Sequence, residues 1–342
     1  MRLRFITGLE GPTLTPNERR FLADAEPAGL ILFARNIETP EQVRRLIGEA
    51  CDAVGHNDTL VLVDQEGGRV QRFAPPEWRR MPHGASYLKA TGGDVAQAAE
   101  HARLVAHQVA ADLKPLGVNV ICAPVLDVPV EGAHPIIGAR AYADDAEGVA
   151  AIARGIADGL IAGGVAPVGK HVPGHGRADV DTHDALPVVD AERDALTSRD
   201  FAAFKALADL PAFMTAHVVF DAIDATEPAS TSARLHADII RGEIGFAGLL
   251  MSDDLSMKAL DGPIGRRTER VLQAGSDLAL HCNGDLGEME AVAGAATPLE
   301  GYARARLEAC FAATQQAGPL DEEAAEDARL AVIAFEDARH AA

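Results

Sequence analysis

Short apolar runs recur along this chain of 342 residues, and stretches with helical spacing lie between them. Most of the runs are nearly uninterrupted Val, Leu, Ile and Ala, which is typical of parallel strands buried on both faces. The pattern predicts eight strands, at residues 4–8, 29–33, 60–64, 118–123, 166–170, 212–216, 248–252 and 277–281.

Helical patterns separate several of these runs. Residues 95–116 carry Ala and Leu at helical spacing up to Pro115 and Gly117, and residues 148–163 and 191–210 are similar. Alternation of strands and helices predicts a parallel sheet with right-handed crossovers. About eight strands favour an α/β fold closed into a single (β/α)8 TIM-type barrel. An open, doubly wound sheet is the alternative architecture.

The domain organisation follows from the absence of internal repeats and linkers. We therefore expect residues 1–342 to form one catalytic domain. Residues 318–342, rich in Glu and Ala, are predicted to be a C-terminal helical extension on the outside of the barrel, with its charges in solvent.

Composition narrows the function classes. A net charge of −20 disfavours nucleic acid and anionic membranes as partners. There is no signal-peptide pattern and no apolar run near the roughly 20 residues of a membrane span. The four cysteines are scattered without a CxxC pair, which is typical of free thiols in a reducing compartment. We expect a cytoplasmic monomer without a metal or cofactor.

Polar side chains stand at the ends of the apolar runs. Asp64, Lys170, His171, His217 and Asp253 each end or directly follow one. In a barrel of this kind the carboxyl ends of the strands line the active site. An ordinary strand end would also be polar, but it would not explain so many His, Lys and Asp residues.

The sequence MSDDLSM, at 251–257, offers a nucleophile. A carboxylate directly after a buried strand is held on a rigid element, as a nucleophile requires. Adjacent aspartates point in different directions, so we expect Asp253 to face the site and Asp254 to support the structure. A helix-capping role for either aspartate is the alternative.

The densest polar stretch is GKHVPGHGRADVDTHDALP, at 169–187. Asp181 and His183 are two residues apart, so in an extended segment the carboxylate can bind one ring nitrogen and leave the other for acid–base work. Gly174 and Gly176 favour a mobile loop. A metal site using His171 and His175 is an alternative, although Pro173 opposes the helix that such spacing needs.

A third candidate is VDQEGGRVQRF, at 63–73. Asp64 could bind sugar hydroxyls, and Arg69 and Arg72 could hold an anionic or hydroxyl-rich ligand. A surface turn with solvated arginines is the alternative, and there is no phosphate-binding pattern.

Taken together, these motifs carry a family resemblance. DQEGGRVQR, IGARAY, KHVPGHGRADVDTH, MTAHVVF and SDDLSM occur in this order. The chain resembles the bacterial β-N-acetylhexosaminidases of glycoside hydrolase family 3, the NagZ type of peptidoglycan recycling, from about residue 5 to residue 290.

The resemblance implies a retaining enzyme that removes non-reducing N-acetylglucosamine from muropeptides. It implies Asp253 as the nucleophile and His183 as the acid/base, with Asp181 as its dyad partner. The substrate-binding positions it implies are Asp64, Arg72, Arg140, Lys170 and His171. Asp127 and His217 also lie in family motifs, and we expect them to have supporting or structural roles.

The chain departs from the family pattern at a few positions. Val172 stands where Phe is common, and Ala139 and Ala141 flank Arg140 where Asp and Ser are common, which leaves the orientation of Arg140 open. Three other functions stay open: an N-acetylglucosaminide phosphorylase on the same barrel, a metal-dependent hydrolase using His171, His175 and Asp181, and a non-catalytic sugar-binding barrel.

Overall fold

The computed structural model describes residues 1–340, and at its centre eight parallel strands close into a barrel. The first and last strands pair through Phe5–Thr7 and Ala279–His281, so the predicted (β/α)8 barrel is confirmed and the open sheet is wrong. Each strand also pairs with the next along the chain. The strands are β1 (Leu3–Gly8), β2 (Pro27–Leu32), β3 (Leu60–Val63), β4 (Val120–Ile121), β5 (Ala166–Val172), β6 (Ala212–Thr215), β7 (Leu249–Asp254) and β8 (Leu278–His281).

Helices lie between and outside the strands. They are α1 (Pro16–Ala25), α2 (Pro40–Val54), α3 (Gly84–Ala90), α4 (Val95–Leu113), α5 (Ala146–Ala162), α6 (Phe201–Ala206), the π-helical α7 (Leu235–Glu243), α8 (Ile264–Ala274), α9 (Leu286–Ala295), α10 (Gly301–Ala312) and α11 (Glu322–His340). The start of α1 shows why such helices form: the Thr15 side chain accepts from the Glu18 backbone, and the Glu18 side chain accepts from the Thr15 backbone.

The helices predicted at 95–116 and 148–163 are present as α4 and α5. The helix predicted at 191–210 is interrupted. A short turn at Arg193–Ala195 and a π-helical segment at Leu196–Asp200 precede α6.

Side-chain alternation explains why the strands read as continuous apolar runs. In β3, Leu60 and Leu62 belong to the apolar cluster inside the barrel, whereas Val61 and Val63 pack in the layer beneath the helices. Both faces of each strand are therefore buried, and both must be apolar.

The C-terminal helix α11 begins at Glu322, four residues later than the predicted extension, and packs against α3 and α4. Ala341 and Ala342 lie outside the described residues. The expectation that its charges are all in solvent is wrong, because Glu336 is 5% exposed and Arg329 is 9% exposed. Within residues 1–340, no helix combines the length and apolarity needed to cross a membrane.

Candidate active site

The alternation of side chains decides which polar strand ends face the barrel mouth. Residues i and i+2 of a strand face the same side. The residue two positions after an inward-facing core residue therefore also faces inward, and at the carboxyl ends of these strands it is polar. The series run from Leu62 to Asp64, from Val168 to Lys170 and from Met251 to Asp253. The same rule predicts that Asp254 points away from the centre, but Asp254 also lines the cavity described next.

A cavity of about 250 Å³ lies at this end of the barrel. Its lining includes seven of the eight site residues expected from the sequence: Asp64, Arg72, Arg140, Lys170, His171, His183 and Asp253. The eighth, Asp181, does not line the cavity and is hydrogen-bonded to His183 instead.

A cluster of buried charges forms one wall. Lys170 Nζ lies 2.6 Å from Asp64 Oδ1 and 2.6 Å from Glu66 Oε1. Arg140 donates to both oxygens of Glu66, at 2.8 and 2.9 Å, and Arg72 lies 3.3 Å from Asp64 Oδ2. The bidentate pair with Glu66 fixes the orientation of Arg140, which the sequence left open.

Neighbouring charges hold Glu66 and Lys170 of this cluster ionised. Burial raises the pKa of the Glu66 carboxyl, but Arg140 and Lys170 lower it by more, so the pKa lies well below its usual range. Burial likewise lowers the pKa of Lys170, but Asp64 and Glu66 more than offset this and hold the pKa above its usual value. Lys170 is therefore a fixed cation, suited to donating hydrogen bonds.

His171 is oriented by a buried carboxylate. Asp127, with no exposed surface, accepts from the His171 ring at Nδ1 over 2.7 Å and from the His175 backbone over 2.7 Å. The ring proton therefore sits on Nδ1, and Nε2 faces Arg140 Nη2 at 3.4 Å. Asp127 thus has the supporting place expected for it.

The two adjacent aspartates, Asp253 and Asp254, differ in their hydrogen-bond partners. Both line the cavity, and Asp253, which is 7% exposed, accepts the Asp254 backbone N–H at Oδ1 over 2.8 Å. The Asp254 carboxylate instead accepts from the Ser256 and Cys282 backbones, each at 3.0 Å. His217 donates to the Asp254 carbonyl over 3.0 Å, which locks the backbone at the end of β7.

The dyad stands on the loop after β5. Asp181 Oδ1 lies 2.8 Å from His183 Nδ1 and accepts the His183 backbone N–H at 2.9 Å. The intervening Thr182 is buried, and its carbonyl accepts from Ala259 N at 3.1 Å, so the loop is tied to the segment after β7. A Cβ on Gly176 would lie 2.0 Å from the Val128 carbonyl, so glycine is needed there for close packing.

Comparison with known proteins identifies the family. The model of the glycosyl hydrolase family 3 N-terminal domain matches residues 5–312. The chain belongs to glycosyl hydrolase family 3. It is a glycoside hydrolase, and the resemblance read from its motifs is confirmed.

Relatives of this family 3 enzyme are similar to it in sequence or in structure along most of its length. A β-hexosaminidase of Alkalilimnicola ehrlichii is 41% identical over 81% of this chain and 79% of its own. A β-hexosaminidase of Aromatoleum aromaticum is 36% identical over 91% and 87%. The crystal structure of NagZ from Neisseria gonorrhoeae with N-trifluoroacetyl-D-glucosamine has a TM-score of 0.83 at 31% identity and covers 98% of this chain and 96% of that one.

Among the cavity-lining residues that were not predicted from the sequence are Glu66 and Phe33. Glu66 lies two positions after Asp64, so in an extended chain both side chains face the same side. This spacing could have predicted that Glu66 faces the site. Phe33 lines the cavity, and the Arg72 guanidinium lies 5.2 Å from its ring centroid. No local pattern distinguishes Phe33 from an ordinary residue at the end of β2.

The ligand set considered for a metal is not assembled. Asp127 holds the Nδ1 atom of His171, and Asp181 is paired with His183. Over the part of the chain that the structure describes, no three His, Cys, Asp or Glu side chains are grouped as metal ligands.

Proposed function

We propose that this chain is a retaining exo-β-N-acetylglucosaminidase. The observation that carries the proposal is that Asp253 and His183 line one cavity, each with its own supporting partner. The relatives named β-hexosaminidase support this substrate class. The relative solved with an N-acylated glucosamine supports it as well.

In the first step, Asp253 attacks the anomeric carbon through Oδ2, the oxygen that does not receive the Asp254 N–H. The bond to the leaving oxygen breaks, and that oxygen takes the proton from His183 Nε2. Asp181 accepts the Nδ1 proton, which leaves Nε2 as the atom that exchanges a proton. Ordinary retaining glycosidases use a second carboxylate for this role.

In the second step, the now neutral His183 removes a proton from water at Nε2. The water oxygen bonds to the anomeric carbon, and the bond from that carbon to Asp253 breaks. Two displacements on one carbon give net retention of configuration. This chemistry needs no metal or cofactor.

The charged wall of the cavity is the proposed sugar-binding surface. Asp64 accepts hydrogen bonds from sugar hydroxyls, and Lys170, Arg72 and Arg140 donate them. His171 presents its Nε2 edge beside Arg140. The cavity volume of about 250 Å³ suits one N-acylated sugar, which favours cleavage from a chain end.

The finer proposal concerns the natural substrate, which would be a muropeptide fragment of peptidoglycan, cleaved in the cytoplasm by a monomeric enzyme. Arg69 lines the cavity while remaining exposed, so it stands at the mouth, where an aglycone lies. A cation there suits the carboxylates of a peptide-bearing aglycone. We also propose that residues 1–342 form a single catalytic domain.

The test is release of nitrophenol from its β-N-acetylglucosaminide and from its β-glucoside, by EDTA-treated enzyme in phosphate-free buffer. We expect turnover of the first and little of the second, and a β-configured sugar as the initial product. Equal turnover of both would contradict N-acetyl selectivity. Retention of configuration is read by NMR before the product mutarotates.

Added phosphate and added zinc distinguish the other functions. A phosphorylase would need phosphate and release sugar 1-phosphate, whereas a metal-dependent hydrolase would recover activity with zinc after EDTA. Sugar binding without any turnover would indicate a binding protein. We expect none of these three results.

A further inference from the structure

We propose that Glu336, on the C-terminal helix α11, is a positioning residue for the sugar-binding wall. It acts through residues 79–83, a segment that we call the strap, and through Gly84 after it. The helix lies beyond residue 312, where the match to the family model ends. This inference rests on the proposed function, because it assigns the wall the task of holding sugar.

Glu336 is buried in contact with the strap. Its side chain is 4% exposed. Oε1 accepts the His83 backbone N–H at 2.7 Å and lies 3.0 Å from the His83 ring at Nδ1. Oε2 lies 2.9 Å from Arg80. Both carboxylate oxygens are therefore committed to the strap, and a buried carboxylate with such partners fixes their positions.

The other side of the strap contacts the hairpin formed by Gln65–Gly67 and Val70–Gln71. A Cβ on Gly68 would lie 2.2 Å from the His83 ring, and one on Gly67 would lie 2.1 Å from the Pro82 carbonyl. Gly68 N also donates to the Met81 carbonyl at 3.1 Å. Any shift of the strap must therefore move the hairpin, which carries Glu66.

The strap ends against the second element of the wall. A Cβ on Gly84 would lie 2.3 Å from the Arg140 carbonyl, so the backbones of these residues are in direct contact. One buried carboxylate of α11 thus holds a segment that packs on the hairpin carrying Glu66 and leads into Gly84, which contacts the Arg140 backbone. Asp253 and His183 stand on other elements, on β7 and on the loop after β5.

The test compares Glu336→Gln and His83→Ala with Asp337→Asn. An amide has a single acceptor oxygen, so Glu336→Gln cannot hold both His83 and Arg80. His83→Ala removes the ring that packs on Gly68. Asp337, with 58% of its side chain exposed, binds the Arg80 side chain at 2.7 Å and serves as the matched control.

We expect Glu336→Gln and His83→Ala each to raise KM for nitrophenyl β-N-acetylglucosaminide about tenfold with little change in kcat, because binding to the sugar is lost equally in ground and transition states. The Kd of free N-acetylglucosamine, from calorimetry, should rise by the same factor. Asp337→Asn should change neither. The double variant should be no worse than the poorer single variant, since both act through one strap.

Unchanged KM and Kd in both variants, with only a lower Tm, would overturn the proposal and leave α11 a structural cover. A fall in kcat alone would overturn it as well. If Glu336→Gln does not fold, His83→Ala decides. If the wild-type enzyme cleaves no glycoside, the proposed function fails separately, and the Kd ratios still test the positioning.

Discussion

Asp181 Oδ1 accepts the backbone N–H of His183 and lies within hydrogen-bond distance of its Nδ1 atom, at 2.9 and 2.8 Å. One carboxylate oxygen thus fixes both the backbone and the ring of the same residue. The ring proton sits on Nδ1, and Nε2 is left for exchange with substrate or water. The His183 side chain is 64% exposed, so the proposed proton exchange would take place beside solvent.

Replacing Asp181 with Asn should reduce acid catalysis. The amide keeps the size of the side chain but removes the carboxylate that orients the His183 ring, so protonation of a poor leaving group slows by ~10²-fold. Nitrophenol needs little protonation, and its release should slow much less. The measurement is kcat/KM for nitrophenyl and methyl β-N-acetylglucosaminides.

Asp184→Asn is the matched control, because the Asp184 side chain is 78% exposed. Its Oδ1 atom makes a long ion pair with Lys258 Nζ, at 3.9 Å. This variant should leave kcat/KM unchanged for both glycosides. Equal losses with both leaving groups in Asp181→Asn would show that the dyad does not act as the acid.

Replacing Asp253 with Asn should abolish turnover but not sugar binding. The amide is a poor nucleophile, so we expect kcat to fall ~10⁴-fold or more. The Kd for N-acetylglucosamine should stay within about twofold, since the charged wall is intact. Calorimetry and a nitrophenol assay measure the two quantities. Residual activity above this level would assign the nucleophile elsewhere.

Replacing Glu66 with Gln should destabilise the protein. The change leaves Arg140 and Lys170 buried with one carboxylate fewer, and breaking such a buried pair costs about 3–5 kcal/mol. Urea unfolding measures the loss. A double-mutant cycle with Arg140→Gln should show strong coupling, and additive losses would contradict the pair as the cause.

Stability should fall with acid through buried histidines. Burial and the nearby Arg241 lower the pKa of His236 to about 4 from its ordinary 6.5. The unfolded chain therefore binds a proton between these values while the folded chain does not. The free energy of unfolding must rise with pH across this window, and it falls as pH drops from about 6.5 to 4.

Urea unfolding at pH 7.5, 5.5 and 4.5 measures this slope. His236→Leu should flatten it by on the order of 3 kcal/mol in total. His175, with a pKa lowered to about 4 by burial and by His171, should give a further contribution of the same sign. An unchanged slope in His236→Leu would exclude this residue as a source of acid lability.

The strands were predictable because their cause is local. Every residue of β3 is buried on one face or the other, so its apolar run is visible without knowing its neighbours. The same two-residue alternation predicted that Asp253 and Asp254 would diverge. Short β4 was predicted too long, because Val118 and Ala123 are buried outside the ladder.

Pairs of distant residues were not predictable in this way. Glu66 reads as part of a polar turn, and its contacts with Lys170 and with Arg140, 74 positions away, show why a carboxylate stands there. Glu336 reads as one charge among many on an amphipathic helix. Its burial depends on the strap, which lies about 250 residues earlier in the chain.

Because the barrel interior is filled with side chains, the cavity is closed at its inner end, and molecules enter and leave it from the opposite side. Ile31, Met214 and Leu280 belong to the barrel core and also line the cavity, so they form its floor. The aglycone must then depart by the side from which water arrives. If the proposed glycosyl-enzyme forms, an alcohol that occupies the vacated space before water does captures the glycosyl group, so glycerol or methanol at high concentration should yield glycosides of that alcohol alongside the free sugar.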